Sequence, residues 1–394
     1  MGELNGRRLL LLQGPAGPFF ARVARQLRAA GATVLKVNFN GGEDLYFRGP
    51  GVIAYRGTRE AWPDFFAELV VAEHVNSVLL FGDCRPLHRA AIARARELGV
   101  EVFVFEEGYL RPDFVTLERG GVNGHSSMSR NPADYAASST YQEPRTRRVE
   151  HAFLKSALHT ICYASATRLL RARYPLYRHH RDIRPLAQAR LWLRGTLRRV
   201  EHTLRDRGIA ARLLTPEMPP FFFVPLQVHL DSQLSHSPYK TIDEFIEEVV
   251  QTFAEHAPAD HHLVLKLHPM DRPYSDYSVL IEDLRLRLGL GERLHFVDVI
   301  NLPGTLRAAR GTIVINSTVG LSSLLHGTPV KCLGTAVYDM AGLTHQGRLA
   351  EFFRAPSPVD RELFQRYRRW LREHNQLNGS VWSRLFEDPS RLLK

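Results

Sequence analysis

Short apolar runs alternate with stretches of helical periodicity along most of the 394 residues. "RLLLLQ" reads as a strand, "FARVARQLRAAG" as a helix ending on glycine, and "TVLKVNF" as a second strand. "WPDFFAELVVAEH" and "HRAAIARARELG" read as helices, and "SVLLFGD" and "VEVFVFEEG" as strands. Strand, helix, strand repeated in this way implies right-handed crossovers and a parallel sheet covered on both faces. Between residues 145 and 212 the alternation stops in a helical, arginine-rich stretch that Pro175 should break or kink. It restarts with "FFFVPLQV", the amphipathic "TIDEFIEEVVQTFAEHA" and "HHLVLKLHP". "RLHFVD", "GTIVINS" and "PVKCLG" follow as strands, with "LPGTLRAAR" and "VGLSSLLHG" as helices between them. A last helix is expected in "DRELFQRYRRWLREHNQL".

The pattern predicts an α/β fold of two Rossmann-like lobes, residues 1–144 and 216–345. An Arg-rich helical insertion at 145–215 and a helical tail at 346–394 complete the expected organisation. In doubly wound sheets ligands sit beyond the carboxyl ends of the strands, so the predicted site is a cleft between the lobes.

Composition narrows this little, and charge changes it more. Hydrophobic content of 44% and charged content of 24% are those of a globular chain. Cys84, Cys162 and Cys332 are far apart and form no CxxC pair, which points to a reducing compartment and no structural zinc. The opening "MGELNGRRLLLLQGPAGPFF" reads as a buried first strand, because its apolar run is too short for a signal peptide. No stretch is long enough to span a bilayer, so the expected location is cytoplasmic, peripheral on a membrane. Net charge is +11, yet residues 145–212 hold sixteen arginines and one lysine against four acids, a surplus of thirteen. The basicity therefore belongs to one segment. It carries no nucleic-acid motif, and an anionic membrane surface suits it as a partner.

Candidate chemistry falls just after predicted strands. Glu106 and Glu107 follow "VEVFVF", and Asp83 and Arg85 follow "SVLLF". Lys266, His268 and Pro269 lie in "LKLHPMDR", Gln227 and Asp231 follow "FFFVPL", and Asn316, Ser317 and Thr318 open a helix. Ser, Thr and free N–H groups at a helix amino end suit a phosphate, although they also make an ordinary N-cap. A His-Pro at a chain reversal can stabilise charge on a leaving phosphate, or merely cap a turn. "QGPAGPFF", with Gly14 and Gly17, lacks dinucleotide-fingerprint spacing. No P-loop, G-x-S-x-G elbow, HExxH or D-x-D occurs, which leaves a phosphate site without metal or cofactor.

The strings "GDCRPLHR", "FEEGYLRPDFVTLERGGVNGHS", "PLQVHLDSQL", "KLHPMDR" and "NSTVGLSSLLHGTPV" together resemble the capsule polysaccharide biosynthesis family. Within it, they are most similar to the KpsS-type β-Kdo transferases of Gram-negative capsule assembly. The resemblance covers residues from about 8 to 345. It implies a GT-B-like, metal-independent, retaining transferase that takes Kdo from CMP-β-Kdo. The implied acceptor is lysophosphatidylglycerol, on which a poly-Kdo linker is begun, with a linker-extending transferase as a possible partner. It maps the nucleophile onto Glu106 or Glu107, with Glu107 preferred, and the phosphate-holding groups onto His268, Ser317 and Thr318. Gly14, Gly17, Asp83, Arg85, Arg111, Asn123 and His125 are then expected around the acceptor. Another CMP-sugar enzyme, such as a sialyltransferase, and a non-catalytic protein that hands over lipid-linked capsule are the competing readings.

Overall fold

In the computed structural model the apolar runs become the strands of two separate sheets. The structure describes residues 3–136, 141–150, 152–178, 185–229 and 231–393. Contacts divide the chain into two compact units, residues 1–127, 140–183 and 371–394 in one and 128–139 and 184–370 in the other.

The first unit contains β1 (Arg8–Leu11), β2 (Thr33–Asn38), β3 (Val52–Ala54), β4 (Ser77–Phe81), β5 (Glu101–Glu107) and β6 (Phe114–Arg119). The second contains β7 (Phe221–Pro225), β8 (His262–Lys266), β9 (Leu294–Val297), β10 (Gly311–Val314) and β11 (Val330–Cys332). A final strand, β12 (Gln376–Asn378), returns to the first sheet. The orders are β12-β6-β5-β4-β1-β2-β3 and β11-β10-β7-β8-β9. Strands β1 to β5 are mutually parallel, as are all five of the second sheet, whereas β6 and β12 join antiparallel. Each parallel core runs outward in both directions from its first strand. The order therefore reverses between β1 and β4, and between β7 and β10, and each reversal opens a crevice at the strands' carboxyl ends.

Strands buried on both faces explain the continuous apolar runs. Leu9, Leu10 and Leu11 are fully buried, as are Phe222, Phe223 and Val224. In the first unit the helix Phe19–Ala29 turns Phe19 and Phe20 toward Phe105 of β5, with ring centroids 5.2 and 5.8 Å away. In the second, Ile242–His256 begins with a capping box, Thr241 to Glu244, and buries Phe245, Ile246, Val249, Val250 and Phe253.

The domain boundaries differ from those expected. The arginine-rich stretch is no separate insertion: the helix Ala152–Leu169 packs with the first unit and Pro185–Arg212 with the second. Nor is the tail only helical. After Arg361–His374 the chain enters β12, whose Leu377 joins the core beside Val115 and Leu117. Arg372 is fully buried there, paired with Glu143 and Glu387 and stacked 4.3 Å over the Phe114 ring.

Candidate functional site

Both crevices hold residues singled out in the sequence. In the first unit, Glu106 and Glu107 are the last two residues of β5 and oppose Thr116 and Val115 of β6. Side chains alternate along a strand, so neighbours in sequence leave the sheet on opposite faces. Glu107 pairs with Arg111 at 2.9 Å and stays 39% exposed. Glu106 turns inward: a Cβ built on Gly82 would lie 3.4 Å from its Oε2 and 4.0 Å from Arg85 Nε. Its Oε1 accepts the N–H of Glu107 at 2.9 Å. Burial is the main force that raises the Glu106 pKa to about 7, the nearby Glu107 carboxylate adds to it, and Arg85 and Arg111 oppose it. The two acids are therefore chemically unlike.

Arg85 occupies the β1/β4 reversal. Its Nη1 donates to the Gly14 carbonyl at 2.9 Å, and its guanidinium lies 5.5 Å over the Phe81 ring. Glu106 and Glu43 both act electrostatically on it. Around it, Gln13 donates to the Tyr177 hydroxyl at 2.8 Å and Asn40 to the Tyr163 hydroxyl at 2.7 Å. Lys36 and Glu43, 2% and 5% exposed, form a buried pair at 2.8 Å. Gly17, with φ +148°, lets the chain turn where a Cβ would meet the His159 ring at 3.4 Å.

Asp83 lies deeper than its place after a strand suggests. It is 3% exposed, and its Oδ2 accepts from Val122 N at 3.0 Å and faces His125 Nδ1 at 3.1 Å. It thus anchors the "VNGH" turn, in which Asn123 adopts φ +54° and donates its N–H to the Tyr109 hydroxyl at 2.8 Å. Tyr109 and Leu110, the residues after Glu107 and Gly108, donate their N–H groups to Gln376 Oε1 at 3.0 and 3.3 Å. The returning tail therefore fixes the loop behind the glutamates. Gln376 was not legible in advance, because a three-residue strand has no periodicity. The peptide bond Arg111–Pro112 is cis.

In the second unit the β7/β10 reversal brings Gln227 and Asn316 to one end of the sheet. Gln227 is 6% exposed and donates to Asp231 Oδ2 at 3.0 Å, while Asn316 donates to the Gln233 carbonyl at 2.8 Å. The side-chain oxygens of Gln227, Asn316 and Gln233 are buried without a hydrogen-bond partner. Buried acceptors are normally satisfied, and an unmet set at a switch point fits a ligand that brings N–H or O–H groups. Beside it, Ser235, His236, Ser237, Pro238, Cys332, Leu333, Gly334, Thr335 and Asp339 line an open hollow of about 600 Å³. Asp231 also caps the turn at Ser232–His236.

Ser317 Oγ accepts from Val319 N at 3.3 Å, at the head of the helix Val319–Leu325, whereas the Thr318 side chain makes no cap bond. The Ser317 carbonyl takes the hydroxyl of Tyr338, which reaches it because Gly320 lacks a side chain: a Cβ there would lie 2.1 Å from that oxygen. His268 Nδ1 accepts the Met270 N–H at 3.1 Å, so its proton is held on Nε2. This is the turn-capping role, with the proton placed on the other ring nitrogen. Pro269 is exposed beside it, and Lys266, its pKa lowered by burial, donates to the Leu267 carbonyl at 3.0 Å. Two residues of the same strings were missed. Asp271, fully buried, holds His229 through Nδ1 at 2.7 Å and through its backbone N–H at 2.9 Å. The string "HPMDR" carried that signal in its one acid.

The family model described as capsule polysaccharide biosynthesis protein matches residues 76–382. The capsule polysaccharide export protein KpsS of Escherichia coli is 39% identical over 377 residues, 95% of this chain and 97% of that one. The capsule polysaccharide modification protein LipB of Neisseria meningitidis serogroup A is 40% identical over 395 residues, 97% and 93% of the two chains. Among solved structures, the β-Kdo 2,7-transferase of Thermosulfurimonas dismutans KpsC is similar over 92% of this chain and 100% of that one, at 16% identity and a TM-score of 0.41. The family match and the two near-full-length relatives agree: the chain belongs to the capsule polysaccharide biosynthesis family.

Proposed function

We propose that the chain is a retaining glycosyltransferase that moves β-Kdo from CMP-β-Kdo to lysophosphatidylglycerol, starting the poly-Kdo linker of a capsular polysaccharide. The observation that carries this reading is the divergence of the glutamates: Glu106 near neutrality beside Arg85, Glu107 ion-paired with Arg111. Retention by double displacement needs one carboxylate to attack and another group to handle the acceptor proton. Glu107 takes the first role. Its oxygen attacks the anomeric carbon, CMP departs with the bonding electrons, and a Kdo–Glu107 ester forms. Glu106 then takes the proton of the acceptor hydroxyl, whose oxygen displaces Glu107. Two inversions leave the configuration unchanged.

The second unit holds the nucleotide in this reading. The unmet oxygens of Gln227 and Asn316 accept from ribose hydroxyls or the cytosine amine, and His268 Nε2–H and Lys266 steady the departing phosphate. Ser317 and Thr318 contribute at the same phosphate. Arg85, Arg111, Asn123 and His125 are assigned to the acceptor, and no step calls for a metal, so a chelator should leave turnover unchanged. The test is to incubate the protein with CMP-Kdo and a fluorescent lysophosphatidylglycerol and weigh the product. One added Kdo or more supports the reading. A CMP-sialic acid-dependent product, or no product with nucleotide still bound, would replace it with the other sugar or with a hand-over role.

A further inference from the structure

Two helices bury polar side chains and turn aliphatic ones outward. In Pro185–Arg212 the buried face is polar. Arg198 donates to the carbonyls of Arg272 and Ser275 at 3.1 Å and pairs with Asp276 at 2.8 Å. His202 pairs with Asp298 at 2.9 Å, and Asp206 accepts the N–H groups of Asp298 and Val299 at 2.6 and 3.1 Å. The outward face carries Leu193, Leu197, Val200 and Leu204, between 58% and 70% exposed, at helical spacing. It forms a continuous stripe about 16 Å long.

The helix Ala152–Leu169 of the first unit repeats the inversion. Tyr163 and Thr167 bond to the Asn40–Gly42 turn, and Gly41 and Gly42 lie so close that a Cβ on either would come within 2.7 Å of the helix. Leu154, Leu158, Ile161 and Leu169 face outward, each more than half exposed. A water-facing helix ordinarily does the opposite, because apolar area in water costs about 25 cal/mol per Å².

The flanks say what covers the stripes. Arg190, Arg194, Arg199 and Arg207 are exposed beside the first, and Lys155 and Arg168 beside the second. Asp206 is buried, which leaves Glu201 as the exposed acid of Pro185–Arg212. Long basic side chains at the edge of an apolar stripe can reach up to phosphates while their stems lie along acyl chains. A second copy would bring like charges together. Among the described side chains, the large hydrophobic residues exposed on the two helices are leucine, isoleucine and valine, whereas aromatic anchors dominate protein interfaces. We infer that each stripe, taken by itself, enters the headgroup–acyl boundary of a bilayer containing anionic lipid, with leucine, isoleucine and valine inserted and arginine holding the headgroups. Among the described residues no helix is long and apolar enough to cross a membrane. The inference stands on the helices alone and does not depend on the transferase reading.

The test uses the full chain and sedimentation with vesicles of phosphatidylcholine, with or without phosphatidylglycerol, and no sugar donor. The wild type should bind the phosphatidylglycerol vesicles and keep part of that binding in high salt, where screening is nearly complete beyond about 3 Å. The double variant Leu197→Gln, Leu204→Gln should lose about tenfold or more in affinity and all of the salt-resistant part. Both positions are exposed and glutamine is a good helix former, so the melting temperature should hold. In a second measurement, the emission of Leu197→Trp should shift to the blue on phosphatidylglycerol vesicles. Binding by the double variant equal to wild type at both salts would leave the arginines alone responsible and overturn insertion. So would an unshifted tryptophan. A wild type that binds no vesicle would point to an acidic protein partner, and a dimer dissociated by the double variant to a second copy; either overturns the inference.

Discussion

At the first strand reversal a guanidinium, Arg85, lies among carboxylates and phenols, and burial and charge move the Glu106 pKa to about 7. At the second, three side-chain amide oxygens, of Gln227, Gln233 and Asn316, are buried without a partner. The strand order around the two crevices is the same. One topology thus serves two chemistries: a carboxyl with a raised pKa beside a second, ion-paired one suits bond making and proton transfer, whereas unmet neutral acceptors suit recognition of a ligand rich in donors. The division makes the crevices separable by mutation.

The largest expected effect lies at the first crevice. Glu107→Gln removes the attacking oxygen's charge and should lower turnover by about 10³-fold or more, while CMP still raises the melting temperature as in the wild type. Loss of the nucleotide-induced shift would blur the division. Next in size is Lys36→Ala, which strands Glu43 in the interior. Both side chains are almost wholly buried, and breaking such a pair costs about 3–5 kcal/mol, measurable by urea unfolding.

A smaller effect belongs to the second crevice. Gln227→Leu should weaken CMP binding about tenfold, seen in titration calorimetry, without altering the pH profile of turnover. The smallest is Glu106→Gln in stability. A carboxyl whose folded pKa is raised contributes stability that is present below the unfolded value and is lost as pH rises through about 7. The variant should therefore melt higher than wild type at pH above about 7 and show a flatter dependence below it. It should also lose the acid limb of the rate profile near that value, since the base must be ionised to act.

Much of this was legible in sequence because strands buried on both faces leave unbroken apolar runs, and their ends mark where polar residues collect. The positions of Glu106, His268 and Ser317 follow from that rule alone. What was not legible depends on contacts between distant segments. The strand string "VEVFVFEEG" already held Glu106 and Glu107, but that one lies near Gly82 and Arg85 and the other pairs with Arg111 depends on contacts that the string does not carry. The helix Gly41–Tyr46 begins with two glycines, which are poor helix formers, yet it exists because Asn40 caps it and Ala152–Leu169 packs against it. Gln376 reaches the loop after Glu107 from far along the chain, and "QLN" alone gives no hint of a strand. The arginine-rich stretch read as one insertion because composition is blind to which sheet each helix joins.

The account rests on Glu107 carrying the sugar between two displacements. Rapid quenching of the protein with CMP-Kdo, with no acceptor added, followed by peptide mass spectrometry addresses it directly. A Kdo-sized mass increase on the peptide containing Glu107, lost on addition of lysophosphatidylglycerol and absent from Glu107→Gln, is the predicted result. An adduct on a different residue, or a turnover-competent protein whose product has the inverted configuration, would contradict it.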